Sequence, residues 1–266
     1  MRTLKLFIAV LLTGMCLPTT AQDLSGRVIY EVTVDDSHIE EKIRQLTIDG
    51  KSPGYLEGYR VGAMNALAVR ELTFETVFTP ARSVSRTTDT VPPPGMTAKV
   101  FDMLMIISGK TYLLLPRTEE RIVEFLLKPD DEVVHLARPY DYYRWTIMPE
   151  ETKTIAGYPC TKAIGTRPAT ETTHDGKPYA GFTAWFARDL PVPYGPMGFD
   201  GLPGLVLELT VDAPGGLTYR ATKIILADDG ADSQLPEMQR PPRVFIQEEL
   251  DDYGRKLLKA NGFNRN

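Results

Sequence analysis

Only two cysteines and three histidines occur in 266 residues, and basic side chains are outnumbered 30 to 35. Each shortage excludes something. Cys16 falls in an apolar leader, so a processed chain keeps Cys160 alone and has no intramolecular disulfide. The histidines, His38, His135 and His174, are scattered without the H-x-x-x-H spacing of a helical zinc site. Asp130-Asp131-Glu132 lacks the register of an EF-hand loop and reads as a solvated acidic loop. The formal charge of −5 argues against a general nucleic-acid binder. Beyond the leader, no stretch approaches the roughly 18 consecutive apolar residues of a membrane helix, so no integral span is expected. No cofactor fingerprint is legible. Lysine is absent from 190–222, which removes the phosphate-loop reading of the glycines there.

What is present begins with a targeting signal. Arg2 and Lys5 precede the unbroken apolar run Leu6–Leu12, Pro18 ends it, and Thr19-Thr20-Ala21 offers a small-residue cleavage site. Cleavage after Ala21 is expected, with residues 1–21 as signal peptide and 22–266 as one domain. The mature chain then carries 28 basic and 35 acidic side chains, a charge of −7. Met15 stands where a lipoprotein signal wants a small residue before its cysteine. Soluble export to the periplasm or beyond is therefore expected over lipid anchoring at Cys16.

Strand-like text dominates the rest. In GRVIYEVTV, residues Val28, Tyr30, Val32 and Val34 share one face. Residues 38–48 have helical spacing, and 51–62 look like a polar, glycine-rich surface excursion. Residues 71–88 are strand-like, and the prolines of 88–96 make a loop. Short strands are expected at 100–107, 110–116, 121–127, 143–148, 153–157, 160–165, 180–187, 204–211 and 217–226. From Pro241 the spacing of Val244, Phe245, Leu250, Tyr253, Leu257 and Leu258 predicts a helix with its bases late. The fold class expected is mainly β (α+β), one strongly curved antiparallel sheet or half-barrel with a C-terminal helix.

Residues 195–210 read GPMGFDGLPGLVLELT, with glycine at 195, 198, 201 and 204. A collagen repeat would not stop after these triplets and enter a β run. The prolines fix φ, and the glycines permit positive φ or close backbone approach. The expected product is a stiff corner feeding a strand. The motif Gly201-Leu202-Pro203-Gly204-Leu205, followed by VLEL, resembles the signature of the GLPGLI family of exported bacterial proteins. Ile155–Ala163 is similar to that family's I-x-G-Y-x-C-x-K-A stretch, and Thr183-Ala184-Trp185-Phe186 to its T-A-W-[YF] strand. The resemblance covers 150–226 best. The insertion at 37–67 looks longer than is usual there. The resemblance implies an envelope location in a two-membrane bacterium and supplies no mechanism.

Three functions follow as expectations. The leading one is a binding protein that holds a hydrophobic or peptide partner on the curved sheet, through Tyr143, Trp145, Trp185 and Phe186. The alternative for these rings is the domain core. The second is a cysteine-dependent enzyme using Cys160 with His135 or His174 as base, set against an inert buried thiol. The third is an accessory subunit of an envelope transport complex. Met103 and Met105 are expected to pack in the core. Glu208, opposite the face of Leu205, Leu207 and Leu209, is expected to pair with Lys162 or Arg220.

Overall fold

The computed structural model describes residues 24–98, 100–102, 110–115, 120–127, 132–168, 181–211, 216–226, 235, 237, 244–246, 248–249 and 252–253. The leader, Met103, Met105, Asp130, Asp131, His174, Leu250, Leu257 and Leu258 lie outside them. Among the described residues, twelve strands appear in chain order. They are β1 (Gly26–Val34), β2 (Phe74–Phe78), β3 (Arg82–Thr87), β4 (Lys110–Leu115), β5 (Glu120–Leu127) and β6 (Glu132–Pro139), then β7 (Arg144–Ile155), β8 (Tyr158–Thr166), β9 (Phe182–Ala187), β10 (Leu205–Val211), β11 (Leu217–Leu226) and β12 (Val244–Phe245). Helices α1 (Ser37–Ile48) and α2 (Pro53–Ala68) form a hairpin between β1 and β2.

All twelve strands join one sheet in the order β12-β6-β5-β4-β3-β2-β1-β11-β10-β9-β8-β7. Every pairing is antiparallel except the two-residue contact of β12 with β6. The sheet is not closed: β7 is one edge and β12 the other. It is nonetheless tightly curled. In a flat sheet β5 and β7, nine strands apart, would be about 43 Å from each other at ~4.8 Å per strand. Yet Asp200 touches both, through Arg121 of β5 and Trp145 of β7. Pro139 of β6 and Arg144 of β7 are likewise separated by four residues, a reach of at most about 18 Å. Ten antiparallel steps return β7 to the sense of β6. The link between them therefore turns a corner, and the two strands do not pair.

The inward face carries the core. Val28, Tyr30 and Val32 of β1 are buried, as are Phe74 and Phe78 of β2 and the inner residues of β8 to β11. Burial of each large apolar side chain contributes about 1.5–3 kcal/mol. On the outer face, Val77 and Val84 form a second cluster with Leu235.

Several sequence expectations are corrected. Residues 51–62 were expected as a polar excursion, but helix α2 runs through them from Pro53 to Ala68. Ser52 caps the helix, its Oγ accepting the Tyr55 N–H at 3.3 Å, and Pro53 occupies the first helical position, where its missing N–H costs nothing. Val100 and Phe101 donate back to the Thr97 carbonyl at 3.0 Å, a helical turn where a strand was expected. Of the residues read as an acidic loop, Glu132 begins strand β6, which was not expected and which buries Val134 and Leu136. The runs at 143–148 and 153–157 are one strand, β7, interrupted where its register to β8 shifts between Met148 and Thr152. Val244 and Phe245 form β12 instead of starting a helix, and helical residues are described only at 248–249 and 252–253.

Candidate functional site

The glycine-rich corner lies on the inner face of the sheet. Leu205 donates its N–H to the Leu190 carbonyl at 2.8 Å, and Val206 to that of Tyr194 at 2.9 Å. The chain thus doubles back on itself before entering β10. Gly198 and Gly201 adopt φ of 74° and 90°, a region glycine enters freely. Gly204 serves close approach instead: a Cβ there would collide with the Ala187 carbonyl. Met197 also has positive φ, 56°, at the tip of the corner.

The corner is tied to the middle of the sheet and to strands near both of its edges. The Thr76 hydroxyl reaches the Gly195 carbonyl at 3.5 Å, and Met197 donates its N–H to Ser85 Oγ at 2.8 Å. Thr76, Ser83, Ser85 and Thr87 are buried on the inner face of β2 and β3, an unusual run of hydroxyls. Thr76 and Ser85 bond the corner's backbone, which is a physical reason for polarity there. The Tyr30 hydroxyl donates to the Val206 carbonyl at 2.8 Å, beside the register shift of β10 against β9. At the far end, Arg121 forms a buried ion pair with Asp200 and donates to the carbonyls of Pro139 at 3.0 Å and Tyr140 at 2.7 Å. The Trp145 indole donates to the Asp200 carbonyl at 2.8 Å. Sequence reasoning missed Arg121 and Asp200. Little signal was available, since Arg121 stands at the head of RIVEFLL directly after Glu119-Glu120, where a solvated strand end is the ordinary reading.

The four aromatic residues expected to bind a ligand do not converge on one cavity. Tyr143 and Trp145 join Phe182 and Phe199 in a ring cluster: Tyr143 stacks on Phe199 at 4.8 Å, and Trp145 meets Phe182 edge-on at 5.1 Å. Phe186 is fully buried. Trp185 points to the opposite face of the sheet, under the ammonium of Lys153 at 4.2 Å. There Glu208 pairs with Lys153 at 2.6 Å and with Arg220 at 3.6 Å. The expected partner Arg220 is therefore present, while Lys162 pairs with Glu151 at 2.7 Å. A shallow pocket of about 170 Å³ lies away from all of these, between Met64 and Leu67 of α2 and Pro94.

Cys160 is buried in β8 and its thiol donates to the Tyr158 carbonyl at 3.4 Å. Burial pushes its pKa up to about 11. An activated nucleophile needs the opposite shift. His135 bonds Glu124 at 2.8 Å on β5 and β6. Among the described residues, no three His, Cys, Asp or Glu side chains cluster as metal ligands, and no helix is long and apolar enough to cross a membrane.

The rim of the sheet is the remaining feature. β7 pairs with β8 on one side only, so half of its backbone groups face outward, and no described residue bonds them. Arg144 and Glu150 are exposed along this edge.

A family model described as "Protein of unknown function (Porph_ging)" matches residues 174–208, a short stretch that contains the GLPGL motif. No curated protein matches the chain. A solved structure of PNGF-II aligns with TM-score 0.50 and 12% identity over 88% of this chain and 34% of that one. The chain therefore spans about a third of that protein's length, and the likeness is one of fold. An uncharacterised conserved protein from Thermus thermophilus aligns with TM-score 0.31 and 8% identity, over 66% of this chain and 84% of that one. The lipoprotein LppX of Mycobacterium tuberculosis aligns with TM-score 0.27 and 11% identity, over 77% and 85%. At such scores neither carries an argument.

Proposed function

We propose that the chain is an exported envelope protein, cleaved near Ala21 and allied to the GLPGLI proteins, that works by binding a protein or hydrophobic partner. The observation that carries this reading is an open twelve-stranded sheet whose described inner face, at β1, β2 and β8–β11, is packed by its own corner. The leader sequence supports export, and the match over 174–208 supports the family. The filled interior favours a peptide over an acyl chain, because recognition is left to the rim. A buried thiol with a raised pKa gives the enzymatic alternative no support.

Native mass spectrometry of the mature protein purified from its own envelope, after mild crosslinking, tests the reading. A mass starting at Gln22 with a retained partner is expected. A bare protein with no crosslinked species would contradict it. A chain still carrying residues 1–21 would contradict cleaved export.

A further inference from the structure

We infer that the edge of β7 over Arg144–Met148 takes an extended segment of a partner protein as an added antiparallel strand. This rests on the binding function proposed above and names the partner's chemistry. β7 is the longest strand of the sheet and an edge along all twelve residues. A row of unsatisfied N–H and C=O groups is a template for pairing, and proteins blunt such edges with proline, bulges and charge. β7 carries the proline and the bulge in one half only, and the other half has a single charge, Arg144, at its end. Pro149, Glu150 and Glu151 fall within the register shift, while 144–148 holds regular pairing to β8 from Thr166 to Lys162. The unblunted half is about 17 Å long, the span of a five-residue strand.

Side chains beside this edge define what fits. Trp145 and Ile147 point inward and are partly buried against the core. Thr146 points outward beside Ile164, its cross-strand neighbour, which is 43% exposed. An added strand therefore meets apolar surface at alternate positions. Arg144 at one end and Glu150 at the other are exposed. An antiparallel segment complements them with a base at its N-terminal end and an acid at its C-terminal end. Main-chain bonds supply affinity in such additions, and side chains supply specificity.

Two fluorescein-labelled probes test this by anisotropy: acetyl-Lys-Val-Thr-Val-Thr-Val-Glu-amide and its charge-reversed counterpart. The first should bind the mature protein at least tenfold more tightly. In the double variant Arg144→Glu/Glu150→Lys the preference should invert, with the thermal midpoint unchanged because both side chains are exposed. Equal affinities, no binding of either probe, or a preference that fails to invert would overturn the edge assignment. A homodimer that either single charge reversal dissolves and the double variant restores would put a second copy on the edge, and would also overturn it. Partners recovered equally by wild type and double variant from the envelope would sink the edge while leaving the binding function standing. Recovery by neither would sink the function itself.

Discussion

Ala156 occupies a left-handed conformation, φ 48°, ahead of Gly157 at φ 87° in the tight turn between β7 and β8. Two positive φ values define the hairpin turn that favours Asn-Gly. An alanine there is strained by about 1 kcal/mol. Ala156→Asn should therefore stabilise the protein by roughly that amount, read as a higher urea midpoint with unchanged slope. An unchanged or lower midpoint would mean that the turn is not so strained. At the same scale, the buried Cys160 thiol sets a pH limit. Its folded pKa of about 11 lies above the ordinary 9.0, so the folded state holds its proton more tightly than the unfolded chain. Its contribution to stability is intact below pH 9 and falls as pH rises toward 11. Burial raises the hydroxyls of Tyr30, Tyr194 and Tyr219 in the same direction. Thermal midpoints should thus decline above pH 9. Cys160 should react with a maleimide only after unfolding, and fast labelling of native protein at neutral pH would revive the nucleophile reading.

At the scale of elements, glycines in the corner and in α2 do opposite things. Gly204→Ala forces a Cβ into the Ala187 carbonyl, so a loss of more than 2 kcal/mol is expected, as for other overpacked sites. Gly58→Ala, with nothing within 4 Å of the new methyl, should gain about 1 kcal/mol of helix propensity. Chemical denaturation of the two variants checks both signs, and equal effects would contradict the packing of the corner. These elements also show what the sequence made legible. A strand with clear alternation, such as β1, was visible because one face is buried and the other is not. The corner was visible because proline and glycine act through local backbone geometry. α2 was hidden by its own glycines, although Ser52-Pro53 is a helix start. β6 was hidden because its buried residues are interleaved with charge that other parts of the chain cover.

At the scale of the whole molecule, the curl of the sheet was expected but its fastening was not. Long-range pairing leaves no periodicity in sequence, so the meeting of Arg121, Asp200 and Trp145 could not be read along the chain. The aromatic residues were visible as a group, yet their division between the core and the outer face depends on register. Asp200→Asn removes the negative partner of a fully buried guanidinium. Such a loss costs about 3–5 kcal/mol, and Trp145 emission should shift red as its environment loosens. Retained stability and emission would show that Asp200 does not bridge the sheet.

The central claim is that the corner is a fixed part of the core while the β7 edge is open for a partner. Hydrogen exchange of the mature protein compares the two directly. Amides of Met197, Gly201, Leu205 and Val206 should exchange only with global unfolding, and the outward amides of 144–148 within seconds to minutes. Rapid exchange in the corner, or core-like protection along 144–148 in the isolated protein, would contradict the account.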